Sequence, residues 1–222
     1  MIDVFRIIFL RDLKVSLRRW SDVFISLIFF ILVCLIFPLT AGDDQILLLK
    51  IIGPVMLISA LLATLLSMQS LFKPDVSNGS LEQLVISSNS LAYVVCIKIF
   101  CFWLVTVLPL LFVSGFIAAS YYVDQQSILI VILTLLVSTP TFVNIAALAA
   151  ALTVGVRHSG ALMALIIIPL TLPAMIFGSK AIEYSILGFD PTAPLYFLIG
   201  MMIFTSTLGP FVTAAAIRIS ID

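Results

Sequence analysis

Charged residues punctuate this chain at intervals that leave long greasy runs between them. Runs without Asp, Glu, Lys, Arg or His occupy residues 23–42, 51–72, 99–123, 125–156, 159–179 and 191–217. A helix needs roughly 20 apolar residues to cross about 30 Å of hydrocarbon. Each run meets that length, so the pattern predicts six transmembrane helices. No run shows the short alternation of a membrane β-barrel, which makes the expected class all-α.

The first 22 residues are patterned differently. Ile2, Phe5, Phe9, Leu13 and Trp20 share one helical face, while Arg11, Lys14 and Arg18 lie largely off it. That spacing predicts an amphipathic helix over 1–22 lying in the cytoplasmic interface, its basic groups meeting anionic headgroups. A plain basic leader that only sets topology is the simpler alternative. The stretch carries Asp3, Asp12 and Asp22, and its length and acidity do not suit a cleaved signal peptide.

Composition agrees with the pattern. The chain has 222 residues, 63% hydrophobic and 10% charged, with mean hydropathy +1.30. Soluble domains are about a quarter charged. Formal net charge is zero, which gives no reason to expect a nucleic-acid partner. Cys34, Cys96 and Cys101 form no metal-binding spacing and read as small packing residues. Basic residues set the orientation. If six spans alternate, Arg6, Arg11, Lys14, Arg18, Arg19, Lys73, Lys98, Arg157 and Arg218 fall on one side, with only Lys50 and Lys180 on the other. Both termini are therefore expected in the cytoplasm. The whole of 1–222 reads as one transmembrane domain.

Seven prolines lie in or at the spans. The PLTLP segment, with Pro169 and Pro173, predicts a bent or locally broken fifth span. Such irregular backbone either reflects packing geometry or lines a cavity. Asn144 is the one amide deep in a span, placed to form an interhelical hydrogen bond or to face a pathway. It opens NIAALAAALTVG (144–155), whose small residues permit close helix approach.

Several chemistries lack their residues. There is no Gly-rich phosphate loop ending in Gly-Lys, no G-x-S-x-G, no H-E-x-x-H and no paired carboxylates within a run. The single histidine, His158 beside Arg157, has no second ligand nearby in sequence and reads as solvated or headgroup-facing. The chain is therefore expected to be a non-catalytic subunit without a metal or resident cofactor, its energy supplied by another protein.

One long stretch between the second and third runs is polar: LFKPDVSNGSLEQLVISSNSL, 71–91. Pro74, Asp75, Ser77, Asn78 and Gly79 are turn and cap formers. SLEQLVI then sets Leu81, Leu84 and Val85 at helical spacing. The segment 73–90 reads as a turn, a short amphipathic helix and a second polar break. A hairpin at Asn-Gly fits less well because no alternating strand precedes it. A short helix with an apolar face suits insertion into a groove on a partner, as in the docking of an ATPase by an ABC exporter. A bare connecting loop is the alternative.

The same stretch resembles the L-F-x-x-D-x-x-(D/N)-G-S/T-L-E-x-L segment of the CcmB family, the permease subunits of the cytochrome c maturation transporter. LPLLFVSGF (108–116), ALTVGVRHSGALMALIIIPLTLPAMIFG (151–178) and TAAAIRISID (213–222) resemble further parts of that family's pattern. Pro74 departs from a position that is often acidic there, and Ser88 and Ser90 replace a proline-rich exit. The resemblance implies an ABC exporter-type permease in a bacterial inner membrane. It implies a cytoplasmic ATPase (the A subunit) that binds ATP, a haem-handling C subunit, a small D subunit, a periplasmic haem chaperone (the E component) and a second copy of this chain. Haem would be substrate of the complex. Within the motif, Asp75, Asn78, Gly79, Ser80, Leu81, Glu82 and Leu84 are the implied ATPase-coupling residues. Leu81 and Leu84 would pack into the ATPase, and Glu82 would cap the helix or meet a basic partner. A permease of another ABC system, exporting lipid or drug, is the alternative function.

Overall fold

The computed structural model describes residues 9–13, 20–42, 44–68, 71–72, 75, 79, 91–154 and 159–221. Among them the chain is helical with short connections and no strand. We label the helices α1 (Trp20–Ala41), α2 (Gln45–Met68), α3 (Leu91–Phe102), α4 (Leu108–Ala119), α5 (Gln125–Leu152), α6 (Ser159–Ile186) and α7 (Thr192–Ile221). A π-helical turn, Trp103–Val107, joins α3 to α4. The result is six apolar spans, with α3, the π turn and α4 forming the third. Residues 9–13 are also helical, whereas residues 20–22 of the expected interfacial helix instead begin α1; residues 1–8 and 14–19 lie outside the described residues.

Helices are the solution lipid demands, because each backbone N–H and C=O is satisfied within its own segment. Hydroxyls inside the spans follow the same logic. Ser59 donates to the Val55 carbonyl (2.6 Å), Thr64 to Ala60 (2.8 Å) and Thr153 to Ala149 (2.9 Å). Other polar groups cross between helices. Ser26 of α1 donates to Ala63 O of α2 (2.6 Å), and Ser220 of α7 to Ala151 O of α5 (3.0 Å). The Tyr121 hydroxyl, after α4, donates to the Cys34 carbonyl.

α5 is the central helix, packed against α2, α3, α4, α6 and α7. Its alanine-rich second half is buried from Ala146 to Ala151, apart from Leu148, which is partly exposed. Gly209 of α7 comes so close to Asn144 that a Cβ there would sit 2.7 Å from Oδ1. The small residues thus permit the close approach their density predicts. The outer spans differ. Only 22%, 22% and 17% of the apolar stretches of α1, α6 and α7 are buried, against 56–67% for the three middle spans. Leu39, Phe116, Leu165, Tyr196 and Ile219 are more than two-thirds exposed. Such a surface belongs against hydrocarbon rather than water.

Several expectations need correction. The third span starts at Leu91, not 99, so Lys98 lies inside a helix rather than in a loop. The break expected at PLTLP does not occur: α6 runs unbroken through Pro169 and Pro173, both on its exposed side, while Thr171 between them is buried. The irregular backbone is instead the π turn before Pro109. That proline lacks the N–H that would have met the Val105 carbonyl, and the widened turn takes up the mismatch. Finally, Cys34 and Cys101 are buried, but Cys96 is exposed and is not a packing residue.

Candidate coupling site at the loop end of the bundle

The end of the bundle that carries residues 9–13, 71–72 and 75 and the start of α3 holds a cluster of charged side chains. Two tight turns build its first member. Leu71 N–H donates to Met68 O (3.0 Å) and Asp75 N–H to Phe72 O (3.1 Å), so the chain folds back as it leaves α2, with Phe72 buried as its anchor. This brings Asp75 to α3. Lys98, two turns into that helix, donates from Nζ to Asp75 Oδ2 at 2.7 Å.

The same ammonium lies 3.4 Å from Oδ2 of Asp12. Asp12 receives Nε and Nη2 of Arg11 on its other oxygen, at 3.1 and 3.0 Å. The side chains of Lys98 and Asp12 are each 9% exposed, and that of Asp75 13%. Arg11 is half-exposed. Among the described residues, two cations and two carboxylates balance formally. That balance matters, because desolvating a charge costs several kcal/mol per ion and only pairing offsets it. One lysine thus gathers the end of α2, the N-terminal turn and the third span.

Apolar contacts extend the junction inward. The Phe9 ring lies 6.4 Å from that of Phe100, and Phe100 stacks on Trp103 at 6.3 Å. Cys101 Sγ lies 3.9 Å from the Phe9 carbonyl. Trp103 opens the π turn and donates from Nε1 to Thr139 Oγ1 on α5 at 3.1 Å. The N-terminal stretch is therefore seated on the third span through Phe9 and Asp12, and the most buried of its described residues is the aspartate rather than the apolar face.

Of the coupling residues drawn from the motif, Asp75 enters this junction. Gly79 has φ 64°, a left-handed conformation that suits glycine. Asn78, Ser80, Leu81, Glu82 and Leu84 lie outside the described residues, as does His158. Asn144, Pro169 and Pro173 are not brought to the junction. Asn144 donates from Nδ2 to Pro140 O within its own helix (2.8 Å) and lies 3.5 Å from Ser206 Oγ on α7. Lys98 and Asp12 were missed as site residues. The available signal was a lysine inside the otherwise uncharged stretch 91–123, since an intramembrane charge implies a partner.

Among the described residues, no three His, Cys, Asp or Glu side chains converge to hold a metal. A groove of about 510 Å³ between α3 and α7 is lined by Leu91, Ala92, Phe211, Ala214, Ala215 and Ile219, with Arg218 at its polar edge. At the opposite end Asp124 caps α5, its Oδ2 accepting from the backbone of Gln126 and Ser127, each at 3.1 Å. Hydrogen bonding from Ser127, side chain first and backbone next, holds its carboxyl below the usual range.

Comparison with known proteins covers the whole architecture. Residues 3–220 match the family model described as CcmB protein. Proteins named Heme exporter protein B are similar along nearly their full length. That of Haemophilus influenzae is 38% identical over 99% of both chains. That of Pseudomonas aeruginosa is 36% identical over 100% of this chain and 99% of its own. That of Escherichia coli K12 is 38% identical over 97% and 98%. This chain belongs to the CcmB family.

Proposed function

We propose that this CcmB-family chain is the membrane permease subunit of an ABC transporter for cytochrome c maturation, and that it couples ATP hydrolysis by a separate subunit to haem export or to release of a haem-loaded chaperone. The ATPase would dock on the segment 73–90. The observation that carries this reading is the attachment of Asp75, at the start of that segment, to Lys98 of the third span. A segment that receives a motor must be fastened to something the motor can move. The names of the relatives support haem as the substrate of the complex.

The partners this reading calls for are an ATPase A subunit, a haem-handling C subunit, a small D subunit, the periplasmic chaperone E and a second copy of this chain. The thinly covered faces of α1, α6 and α7 leave room for membrane partners. If the six spans alternate, nine of the eleven basic residues in the sequence share the side of the two termini, which supports an inner-membrane protein with both termini cytoplasmic.

Capture of this chain in mild detergent should bring down an ATPase with vanadate-sensitive activity and a haem-binding membrane protein. Recovery of the ATPase alone, with no haem-handling partner, points to another ABC system. Glu82→Lys should abolish assembly or ATP-coupled chaperone release. A variant that retains both refutes the docking assignment.

A further inference from the structure

Span three is built in two halves that lean on different neighbours. The loop-end half, α3, packs chiefly on α7, whereas α4 packs on α5 and α1. Between them lies the π turn Trp103–Val107, fixed to α5 by the Trp103–Thr139 hydrogen bond. A π turn in an otherwise α-helical span has a poorer ladder than its flanks, and such turns recur at functional sites. The charges sit on one side of it only. Lys98 lies one turn before Trp103, and its ammonium holds Asp75 at 2.7 Å and Asp12 at 3.4 Å.

We propose that Lys98 is the positioning residue through which the loop moves the third span: it fastens Asp75 and Asp12 to α3 as one body, which swings about the π turn Trp103–Val107. This rests on the reading that an ATPase engages 73–90. The physical argument is about connection. Asp75 is joined covalently to α2 and, through uncharged chain, to the segment that would receive the motor. The backbone leading into Leu91 carries a pull on that segment to the end of α3. With Lys98, it is also delivered side-on, two turns inside the helix, to a buried point that carries the N-terminal turn with it. Asp12 then makes the N-terminal stretch a second arm of the same body rather than a separate float on the membrane.

The test uses the complete complex captured with this chain and reads chaperone release per ATP hydrolysed. Lys98→Gln removes the charge and keeps a donor. Lys98→Met with Asp12→Asn removes the cation together with one of its carboxylates, so that folding survives if the single variant does not fold. Either variant should capture the ATPase and hydrolyse ATP, yet yield release per ATP lowered about tenfold, within the range of coupling between distant sites. Lys98→Arg, which keeps the charge, should restore most of the yield. A purely structural lysine would change the amount of complex and leave the yield per ATP alone, and that result overturns the proposal. Loss of ATPase capture from the double variant overturns it too, since Lys98 would then belong to docking itself. Glu82→Lys separates the two ideas. If it assembles and couples normally, the docking reading fails; if it fails to assemble while the Lys98 variants couple normally, only the swing of α3 is refuted.

Discussion

The bundle treats buried polar groups differently in two of the places where it holds them. At the loop end, Lys98, Asp12 and Asp75 carry full charges into space about a tenth exposed, and each faces an opposite charge. In the middle of α5, Thr134, Ser138 and Asn144 are at most 5% exposed and uncharged, and each leaves one oxygen without a hydrogen-bond partner. An orphaned neutral oxygen costs about 1–3 kcal/mol, and an orphaned buried charge considerably more. The neutral seam can therefore be left incomplete where close helix contact compensates. The charged junction tolerates less: Asp12 Oδ2 accepts no hydrogen bond, but it lies 3.4 Å from the Lys98 ammonium, so every member constrains the others.

Lys98→Met is the sharpest way to break that contrast. It leaves Asp12 and Asp75 buried without the ammonium they share. The expected loss is about 3–5 kcal/mol, the usual cost of removing one partner from a buried pair. Thermal unfolding in detergent measures it. Neutralising the group together, as Lys98→Met with Asp12→Asn and Asp75→Asn, should recover most of the loss. Equal instability of the single and triple variants would mean that packing, not charge, holds the junction.

Gly209→Ala probes the neutral seam where it is tightest. The new Cβ would sit 2.7 Å from Asn144 Oδ1 and 3.2 Å from its Cβ and Cγ. Asn144 has little freedom to yield, because its amide is tied to Pro140 O. The helices must part, at about 1–3 kcal/mol. Asn144→Ala in the same chain should relieve the clash, and a double-mutant cycle reads that coupling. Gly178→Ala is the comparison. Its close neighbours are methyl ends of side chains, Leu57 Cδ1 at 2.8 Å and Thr134 Cγ2 at 3.3 Å, rather than a hydrogen-bonded amide, so the loss should be smaller.

How far the sequence foretold these two places differs as well. Six spans were legible because a bilayer imposes one length on every crossing. The close packing of α5 was legible too, from the small residues after Asn144, but the unpartnered hydroxyls of Thr134 and Ser138 were not. The junction was not, for two reasons. Scanning for charge-free runs ends a span at the first lysine, yet α3 carries Lys98 inside because Asp75 and Asp12 neutralise it. Its partners also come from separated segments, and single-sequence reasoning has no access to that meeting. Lys50 and Lys180 were likewise placed outside spans and lie within α2 and α6; Lys180 answers Glu183 at 2.7 Å on an exposed face. The π turn was hidden for another reason. Pro109 looks like six other prolines, and only its neighbours decide whether a helix bulges or runs on.

A carboxylate outside the membrane sharpens the comparison from the other side. Asp124 is exposed, caps α5, and titrates below the usual carboxylate range because of its Ser127 bonds. Asp124→Ala should cost about 1 kcal/mol at neutral pH, the worth of an N-cap. The folded state favours the ionised form. Its contribution is therefore present above the ordinary carboxylate pKa of about 4 and is lost as pH falls through the lower folded value. The gap in melting temperature between wild type and variant should close on acidification. A gap that ignores pH would mean the charge plays no part in the cap.

Asn144→Ala should have the smallest effect. The amide's best hydrogen bond, 2.8 Å to Pro140 O, lies within its own helix, and its reach to Ser206 is a marginal 3.5 Å. Interhelical side-chain bonds in membranes average only about 0.6 kcal/mol. Oδ1 has no partner to lose, and truncation takes pressure off Gly209. The expected loss of stability is under about 1 kcal/mol, read from equilibrium unfolding in mixed micelles. A much larger loss would mean the α5–α7 contact depends on this amide and that the neutral seam is as exacting as the charged junction. Unchanged stability with failed chaperone release would place Asn144 on a pathway instead, and the seam would then be functional for the same reason it is incomplete: its free oxygens would be there to meet something passing.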